Sequence, residues 1–256
     1  RSMLPNDQGA KPRTPESFAK AAKKAMDEGY QTIKCAPFDE CQAPFIDSGL
    51  PANTETGLNR IKAIKENIGT SHALYVDCHG RFDFESAVQL EKELIQLGIK
   101  WFEEPVDTLK NIDILKKIHD QAILPIAGGE MGYGIGTFFK LINQEFVDII
   151  MPDIKFCGGP AEAYRIGIEV ESKKSGSVSM HCPSGPISLL ASAHVTAAFN
   201  NILPLEHAVN EVPWRHQIME PFEEIKNGKF LIPDGPGLGG RIDPIAIEIR
   251  GEHWKE

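Results

Sequence analysis

Charged side chains recur along this chain where successive apolar segments end. From Asp77 onward they lie about 25 residues apart, close to the roughly 30 residues of one strand–helix unit. If each follows a parallel strand, all of them meet at one edge of a sheet. In chain order they are Lys34, Asp77 with His79, Glu103 with Glu104, Glu130, Asp153, His181 and Glu206.

Three of these residues predict a metal site. Carboxylates that converge repel one another unless a cation lies between them, and ligation by oxygen alone suits Mg²⁺ or Mn²⁺. We therefore expect Asp77, Glu103 and Glu130 to bind Mg²⁺, with Mn²⁺ as an alternative.

The segment VDCHGRF (76–82) contains three consecutive potential metal ligands, Asp77, Cys78 and His79. If the segment is a strand, its side chains alternate between two faces, so the three do not all point the same way. Residues two apart share a face, so Asp77 and His79 should point to the same edge while Cys78 points to the helices. The same parity sends Cys35 and Cys182 outward. The cysteines are therefore predicted to be packing residues rather than zinc ligands, and the chain has no CxxC.

The elements that would position these residues alternate between strand and helix. Helix 14–29, for example, has Thr14 as its N-cap and Gly29 as its stop. Further helices are predicted at 57–69, 84–98, 109–121, 137–145, 160–176 and 185–200. Strands are predicted at 31–36, 73–79, 99–106, 123–130, 147–153, 177–181 and 203–209.

This order predicts an α/β fold, a (β/α) TIM-type barrel that lacks its first strand. A doubly wound open sheet is less well supported because no Gly-rich dinucleotide loop follows an early strand. We expect the barrel to occupy 1–213. The Gly- and Pro-rich segment 214–256 should return towards another domain.

Composition narrows the classes of function. The chain has 256 residues and a net charge of −9, which argues against a nucleic-acid partner. No long apolar run predicts a membrane span, and the first residues do not read as a signal peptide. Five cysteines without close spacing favour a reducing compartment, so we expect a cytoplasmic protein.

Motifs along most of the chain resemble those of the enolase superfamily, in its mandelate racemase-like subgroup. They are TIKCA, VDCHGRF, WFEEPV, AGGE, DIIMPDIKFCGG and SMHCPSGP. DCHGR and HCPSGPI look closest to galactonate dehydratase-type acid-sugar dehydratases. The resemblance implies a modified, enolase-like barrel and an N-terminal α+β capping domain, which this sequence does not contain. The insertion 37–56 would then lie over the barrel mouth.

The resemblance also implies a role for each charged residue. Asp77, Glu103 and Glu130 would bind Mg²⁺, which holds a substrate carboxylate and stabilises an enediolate. His181 would be the general base, oriented by Asp153. The remaining three residues would bind the carboxylate or act on the leaving group: Lys34 as a positive charge, Glu206 as a hydrogen-bonding group and His79 as a general acid. Relatives of this kind also suggest a homo-oligomer.

One difference from the subgroup's sequence pattern distinguishes a racemase from a dehydratase. Its racemases carry Lys-x-Lys on the second strand, and here Ala36 stands where the second lysine would be. We therefore expect a dehydratase that converts a sugar acid or similar β-hydroxy acid to a 2-keto acid. A racemase or epimerase remains the alternative. A phosphate-binding barrel that uses CGGP (157–160) and a non-enzymatic barrel are more distant ones.

Overall fold

Six short parallel strands form one sheet in which every strand pairs with the next strand along the chain. The computed structural model describes residues 12–41, 50, 52–173, 176–201, 203–209 and 214–250. The sequential order of the described strands confirms the predicted sheet of a (β/α) TIM-type barrel rather than a doubly wound sheet. The strands are β1 (Thr32–Cys35), β2 (Ala73–Asp77), β3 (Trp101–Glu103), β4 (Ile126–Gly128), β5 (Ile149–Ile150) and β6 (Ser177–Val178).

Helices connect these strands and pack beside one another around the sheet. The first begins as its sequence predicts, with the Thr14 hydroxyl accepting the Ser17 N–H at 3.3 Å. The helices are α1 (Pro15–Asp27), α2 (Thr54–Ile68), α3 (Phe84–Gln96), α4 (Ile112–His119), α5 (Gly134–Asn143), α6 (Ile154–Cys157), α7 (Pro160–Lys173) and α8 (Pro186–Ala197). The four-residue helix α6 was not predicted.

The two faces of the sheet pack against different groups of residues. One face, with Leu74, Val76 and Phe102, packs in the main apolar core with the helices. The other face forms a smaller cluster that includes Tyr75 and Trp101. Because Asp77 and Glu103 lie two residues beyond Tyr75 and Trp101, they extend this inner face to the carboxyl ends of the strands.

The strands are shorter than the sequence predicts, because the chain turns at the charged residues. The Asp77 carboxylate accepts the backbone N–H of His79 at 2.9 Å, and His79 adopts a positive φ of 48°. Glu104 follows β3 with a φ of 38°. Several mouth residues therefore lie in turns beyond the strands, where side chains are not restricted to two faces.

The prediction of a seventh strand at 203–209 is wrong, since these residues are described and form none. One ladder-type bond joins the Glu206 N–H to the Met180 carbonyl at 3.2 Å. Pro204 has no N–H to donate, and its carbonyl accepts the Ser179 hydroxyl at 2.7 Å instead. A side chain thus takes the place of a ladder bond.

The tail packs on the barrel as two short antiparallel pairs and a helix. His194 Nε2 lies 2.9 Å from the Leu238 carbonyl, and Arg215 donates to the Ser184 carbonyl at 2.5 Å. The boundary at residue 213 lies outside the described residues, and a return towards a capping domain stays a prediction. The elements are β7 (Met219–Glu220), β8 (Ile225–Lys226), β9 (Lys229–Phe230), β10 (Arg241–Ile242) and α9 (Pro244–Arg250).

None of the described helices combines the length and hydropathy that a membrane crossing requires.

Candidate active site

Three carboxylates converge at the carboxyl ends of neighbouring strands. Asp77 ends β2, Glu103 ends β3 directly opposite it, and Glu130 follows β4 by two residues. One oxygen from each carboxylate can be chosen so that all three oxygens lie within 4.8 Å of one another. Asp77 and Glu103 are buried, so the cluster concentrates negative charge in a region shielded from water.

The donor set fits a hard divalent cation. Glu103 is fully buried, and its Oε2 has no hydrogen-bond partner among the described residues. Burial raises the pKa of Glu103 well above its usual range, and the neighbouring Asp77 adds to this while the Lys34 ammonium opposes it. Leaving an acceptor unsatisfied in a buried site is costly. Three carboxylates and an unused oxygen are the environment that Mg²⁺ or Mn²⁺ would satisfy.

Lys34 balances part of this charge from β1. Its Nζ donates to Glu103 Oε1 at 2.7 Å and lies 3.1 Å from Glu206 Oε1 and 4.0 Å from Asp77 Oδ2. Burial alone would lower the pKa of Lys34, but Glu103 and Glu206 outweigh it and raise the pKa well above the ordinary value. Lys34 is therefore a fixed positive charge beside the cluster.

His181 faces the cluster from the end of β6 and is paired with Asp153. Its Nδ1 lies 2.9 Å from Asp153 Oδ2, and its Nε2 lies 2.9 Å from Glu130 Oε2. A bridge between Asp153 and His181 aligns their backbones. Burial disfavours the imidazolium, but the bonds to Asp153 and Glu130 prevail and raise the pKa of His181 to about 10.

His79 approaches the cluster from the opposite flank and is paired with Asp39. Its Nδ1 lies 2.7 Å from Asp39 Oδ1, and its Nε2 lies 2.9 Å from Asp77 Oδ2. The bonds to Asp39 and then Asp77 raise the pKa of His79 to about 10, against the effect of burial.

Glu206 lies between Lys34 and His181. One of its oxygens contacts the Lys34 ammonium, and the other accepts the Cys182 N–H at 3.1 Å. That second oxygen is 3.8 Å from His181 Nε2. The eight residues to which the sequence analysis assigned a role, all of those charged residues except Glu104, are thus linked through direct contacts into one site.

Sequence reasoning missed Asp39, which lies four residues beyond β1. The only available signal was its place at the start of the insertion predicted to cover the mouth. Residues 42–49 and 51 of that insertion lie outside the described residues.

The prediction that the cysteines are packing residues can be compared with the structure. All five cysteines are free, and Cys78 and Cys182 are buried, as expected of packing residues. Glu104 is not one of the three clustered carboxylates, and it accepts the Gly129 N–H at 3.0 Å. Burial, with Glu130 nearby, raises the pKa of Glu104 to about 7.

Known proteins with similar sequences or structures agree with this architecture. The sequence model of the family described as enolase C-terminal domain-like matches residues 17–246. Arabinonate dehydratase of Saccharolobus solfataricus is 33% identical over 194 residues, 76% of this chain and 51% of that protein. D-Xylonate dehydratase of Haloferax volcanii is 35% identical over 195 residues, 75% of this chain and 47% of that protein.

A solved structure shows the same fold. The mandelate racemase/muconate lactonizing enzyme-like protein of Rubrobacter xylanophilus matches with a TM-score of 0.84 and 29% identity. The match covers 95% of this chain and 64% of that one. This chain spans about half the length of the two curated relatives it matches.

Proposed function

The chain belongs to the enolase C-terminal domain-like family, and we propose from this membership that it carries the catalytic barrel of a Mg²⁺-dependent acid-sugar dehydratase. The observation that carries the proposal is one carboxylate cluster with a histidine on either flank. The relatives named as dehydratases of arabinonate and D-xylonate support a substrate of this class, a hydroxylated carboxylate.

Asp77, Glu103 and Glu130 would hold the cation. When bound, Mg²⁺ would supply the positive charge that stabilises a substrate carboxylate as negative charge develops on it. Lys34 would add a fixed positive charge to the same carboxylate, and Glu206 would hydrogen-bond one of its oxygens.

His181 would remove the proton from the α-carbon with Nε2, the ring nitrogen that faces the cluster. Its other nitrogen, Nδ1, carries a hydrogen directed to Asp153, which fixes the tautomer in which Nε2 is the base. The Glu130 carboxylate contributes to the raised pKa of His181. A change that neutralises this carboxylate would therefore lower the pKa of His181 towards neutral pH, where Nε2 can accept a proton.

His79 would donate its Nε2 proton to the β-hydroxyl. The electron pair released at the α-carbon forms a double bond to the β-carbon and expels that hydroxyl, which leaves as water. Because an aldonate also carries a hydroxyl on its α-carbon, the product is an enol, which tautomerises to a 2-keto acid. Two different histidines therefore handle the two protons: His181 removes one from the α-carbon, and His79 donates one to the leaving hydroxyl. This division suits an elimination, because neither histidine has to perform both steps.

A racemase or epimerase is the second candidate, and one position disfavours it. Ala36 has no side chain that could exchange a proton with the opposite face of the α-carbon. Lys34, on the same strand, is engaged with Glu103 at 2.7 Å.

Two experiments distinguish these candidates. The chain is incubated with Mg²⁺ and a set of aldonates, and 2-keto acid is measured. Accumulation of keto acid supports the dehydratase, whereas exchange of the α-proton without keto acid supports the isomerase. Glu103→Gln should abolish turnover, and the matched control Glu55→Gln, at an exposed helix position, should not.

The non-enzymatic and phosphate-binding alternatives predict a different titration. Calorimetry should detect Mg²⁺ binding that Glu103→Gln removes. Binding of inorganic phosphate without Mg²⁺ binding would instead favour a site at residues 157–160.

We also propose three properties of the whole protein. Five free cysteines support a reducing, cytoplasmic setting. A homo-oligomer and a barrel boundary near residue 213 are tested by sedimentation and by limited proteolysis.

A further inference from the structure

The loop after β1 holds an aspartate against the His79 ring. Asp39 Oδ1 lies 2.7 Å from His79 Nδ1, although the two residues are forty positions apart in the chain. They follow neighbouring parallel strands, β1 and β2, whose carboxyl ends open at the same edge of the sheet.

An aromatic anchor fixes the loop on one side of Asp39. Phe38 is almost completely buried and meets the Phe82 ring edge-on, with 5.3 Å between ring centroids. Gly57 of α2 makes this possible, because a Cβ atom there would lie 2.2 Å from the Phe38 ring. Phe82 follows His79 by three residues, so the anchor ties the two loops together.

Two arginines fix the loop on the other side. Arg60, buried on α2, contacts both oxygens of the Glu40 carboxylate and donates to the Pro37 carbonyl at 2.8 Å. Arg13 donates to Glu40 Oε1 at 2.7 Å and to the Ala36 carbonyl at 2.8 Å. Its Nη2 also lies 3.4 Å from Asp39 Oδ2. Asp39 is therefore held between two anchored neighbours.

We propose that Asp39 is a positioning residue, which holds the His79 ring so that Nε2 presents its proton to the departing hydroxyl. A carboxylate only accepts hydrogen bonds, so the hydrogen on Nδ1 is committed to Asp39 and Nε2 points to the cluster, 2.9 Å from Asp77. The inference deepens the proposed function and rests on it.

The arrangement differs from an ordinary surface ion pair. Two flexible, exposed side chains contribute little when they pair, because ordering them is costly. Here the backbone around Asp39 is already ordered by the Phe38 ring and the two arginines, and the His79 backbone is fixed by its bond to Asp77. The interaction therefore orients the ring at small entropic cost.

The kinetic test changes the leaving group. Asp39→Asn should lower kcat for a β-hydroxy acid about 10- to 100-fold with little change in KM, since a general acid contributes about 10²- to 10⁴-fold. With a β-fluoro analogue the same variant should be close to wild type, because fluoride departs without a proton. Asp27→Asn, at an exposed acid on α1 that pairs with Lys23, is the matched control and should behave as wild type.

A double variant checks that Asp39 acts through His79. Asp39→Asn combined with His79→Asn should be no slower than His79→Asn alone. Additive losses, or an equal loss with the fluoro analogue, would overturn the proposal.

A spectroscopic measurement needs no substrate. Proton NMR should show a strongly downfield imidazole N–H signal that disappears in both His79→Asn and Asp39→Asn and persists in Asp27→Asn. Persistence of this signal in Asp39→Asn would contradict the proposal. If the signal behaves as expected but no aldonate is dehydrated by the wild type, the hydrogen bond stands and the proposed function fails.

Discussion

Two histidine–aspartate pairs flank the same carboxylates, and they are built in different ways. Asp153 and His181 lie just beyond the neighbouring strands β5 and β6, where an isolated bridge joins their backbones, and their side chains are only 1% and 8% exposed. Asp39 and His79 lie in loops beyond β1 and β2, with side-chain exposures of 30% and 32%. Both pairs place a carboxylate against Nδ1, at 2.9 and 2.7 Å.

The same contact between an aspartate and a histidine Nδ1 is thus built once into the framework of the barrel and once into a loop. Asp153 belongs to the framework, because it also accepts the Lys155 N–H at 2.7 Å and so caps α6. Asp39 belongs to a loop that carries no strand. A partly exposed loop pair can change with little effect on folding, whereas the buried pair joined by a backbone bridge ties proton removal to the integrity of the barrel.

A third histidine shows what the carboxylates contribute. His207 has Tyr30 as its partner, with the Tyr30 hydroxyl 2.6 Å from Nδ1. Burial, with the Arg215 guanidinium nearby, lowers the pKa of His207 to about 4. The pKa values of both paired histidines are raised to about 10. The Glu223 carboxylate lies 4.0 Å from His207 Nε2 without a hydrogen bond to it, so carboxylates that are hydrogen-bonded to the ring, rather than burial, raise the pKa of the other two histidines.

The largest expected effect comes from removing His181, the more deeply buried of the two paired histidines. His181→Asn should reduce both keto-acid formation and exchange of the α-proton by about 10³- to 10⁴-fold, because no other group is placed to remove that proton. Mass spectrometry of substrate recovered from D₂O measures the exchange. Exchange at the wild-type rate would assign proton removal to another residue and break the comparison.

Replacing Asp153, the partner of His181, should reduce turnover less than replacing His181 itself. Asp153→Asn keeps a good helix cap, but it leaves the buried His181 without its carboxylate partner, so the free energy of unfolding should fall by about 3 kcal/mol while the barrel stays folded. Turnover should nevertheless fall about 10²- to 10³-fold, because an amide can donate to Nδ1 and select the wrong tautomer. Urea unfolding and kcat are measured together. A fall in turnover that only follows lost stability would reduce Asp153 to a structural role.

The hydroxyl-paired histidine should make the fold sensitive to acid. Because the folded pKa of His207 is about 4 and the unfolded value is about 6.5, the unfolded chain binds the extra proton between these values. His207 therefore contributes stability that is complete above pH 6.5 and lost as the pH falls towards 4. The loss amounts to about 3 kcal/mol.

His207→Gln isolates this contribution from that of the carboxylates, which titrate in both proteins. Urea unfolding at pH 7 and pH 4 should show a smaller acid loss in the variant than in the wild type. Tyr30, Arg215 and Glu223 surround the ring and are unchanged in both. Equal losses would mean that His207 binds its proton as readily in the folded state as in the unfolded state.

The smallest expected effect concerns the loop pair and stability. Asp39→Asn should change the free energy of unfolding by less than about 0.5 kcal/mol, as expected for a partly exposed ion pair. Asp27→Asn, the exposed control, should give a similar value in the same urea titration. A loss of several kcal/mol for Asp39→Asn alone would make the loop pair part of the framework and remove the contrast with Asp153.

Much of the barrel could be predicted from the sequence because helix and strand alternate with clear caps and periods. Thr14 and Gly29 bound α1 as the pattern predicts, and strand parity sorts Asp77 from Cys78. The same periodicity brings together the three carboxylates, which the structure places within 4.8 Å. The functional roles came from the family resemblance rather than from periodicity.

Other features depend on interactions that a single sequence does not display. The segment 203–209 has the composition of a strand, but the Ser179 hydroxyl binds the Pro204 carbonyl. Asp39 has no period that relates it to His79. Its position follows from the burial of Phe38 and from the contacts that Arg13 and Arg60 make with Glu40.

The central claim is that the two pairs do separate jobs, and His79→Asn in D₂O tests it most directly. The account predicts that recovered substrate still gains deuterium at the α-carbon, at close to the wild-type rate. Keto acid should meanwhile form about 10²- to 10⁴-fold more slowly. Keto acid at the wild-type rate, or loss of deuterium exchange together with dehydration, would contradict it.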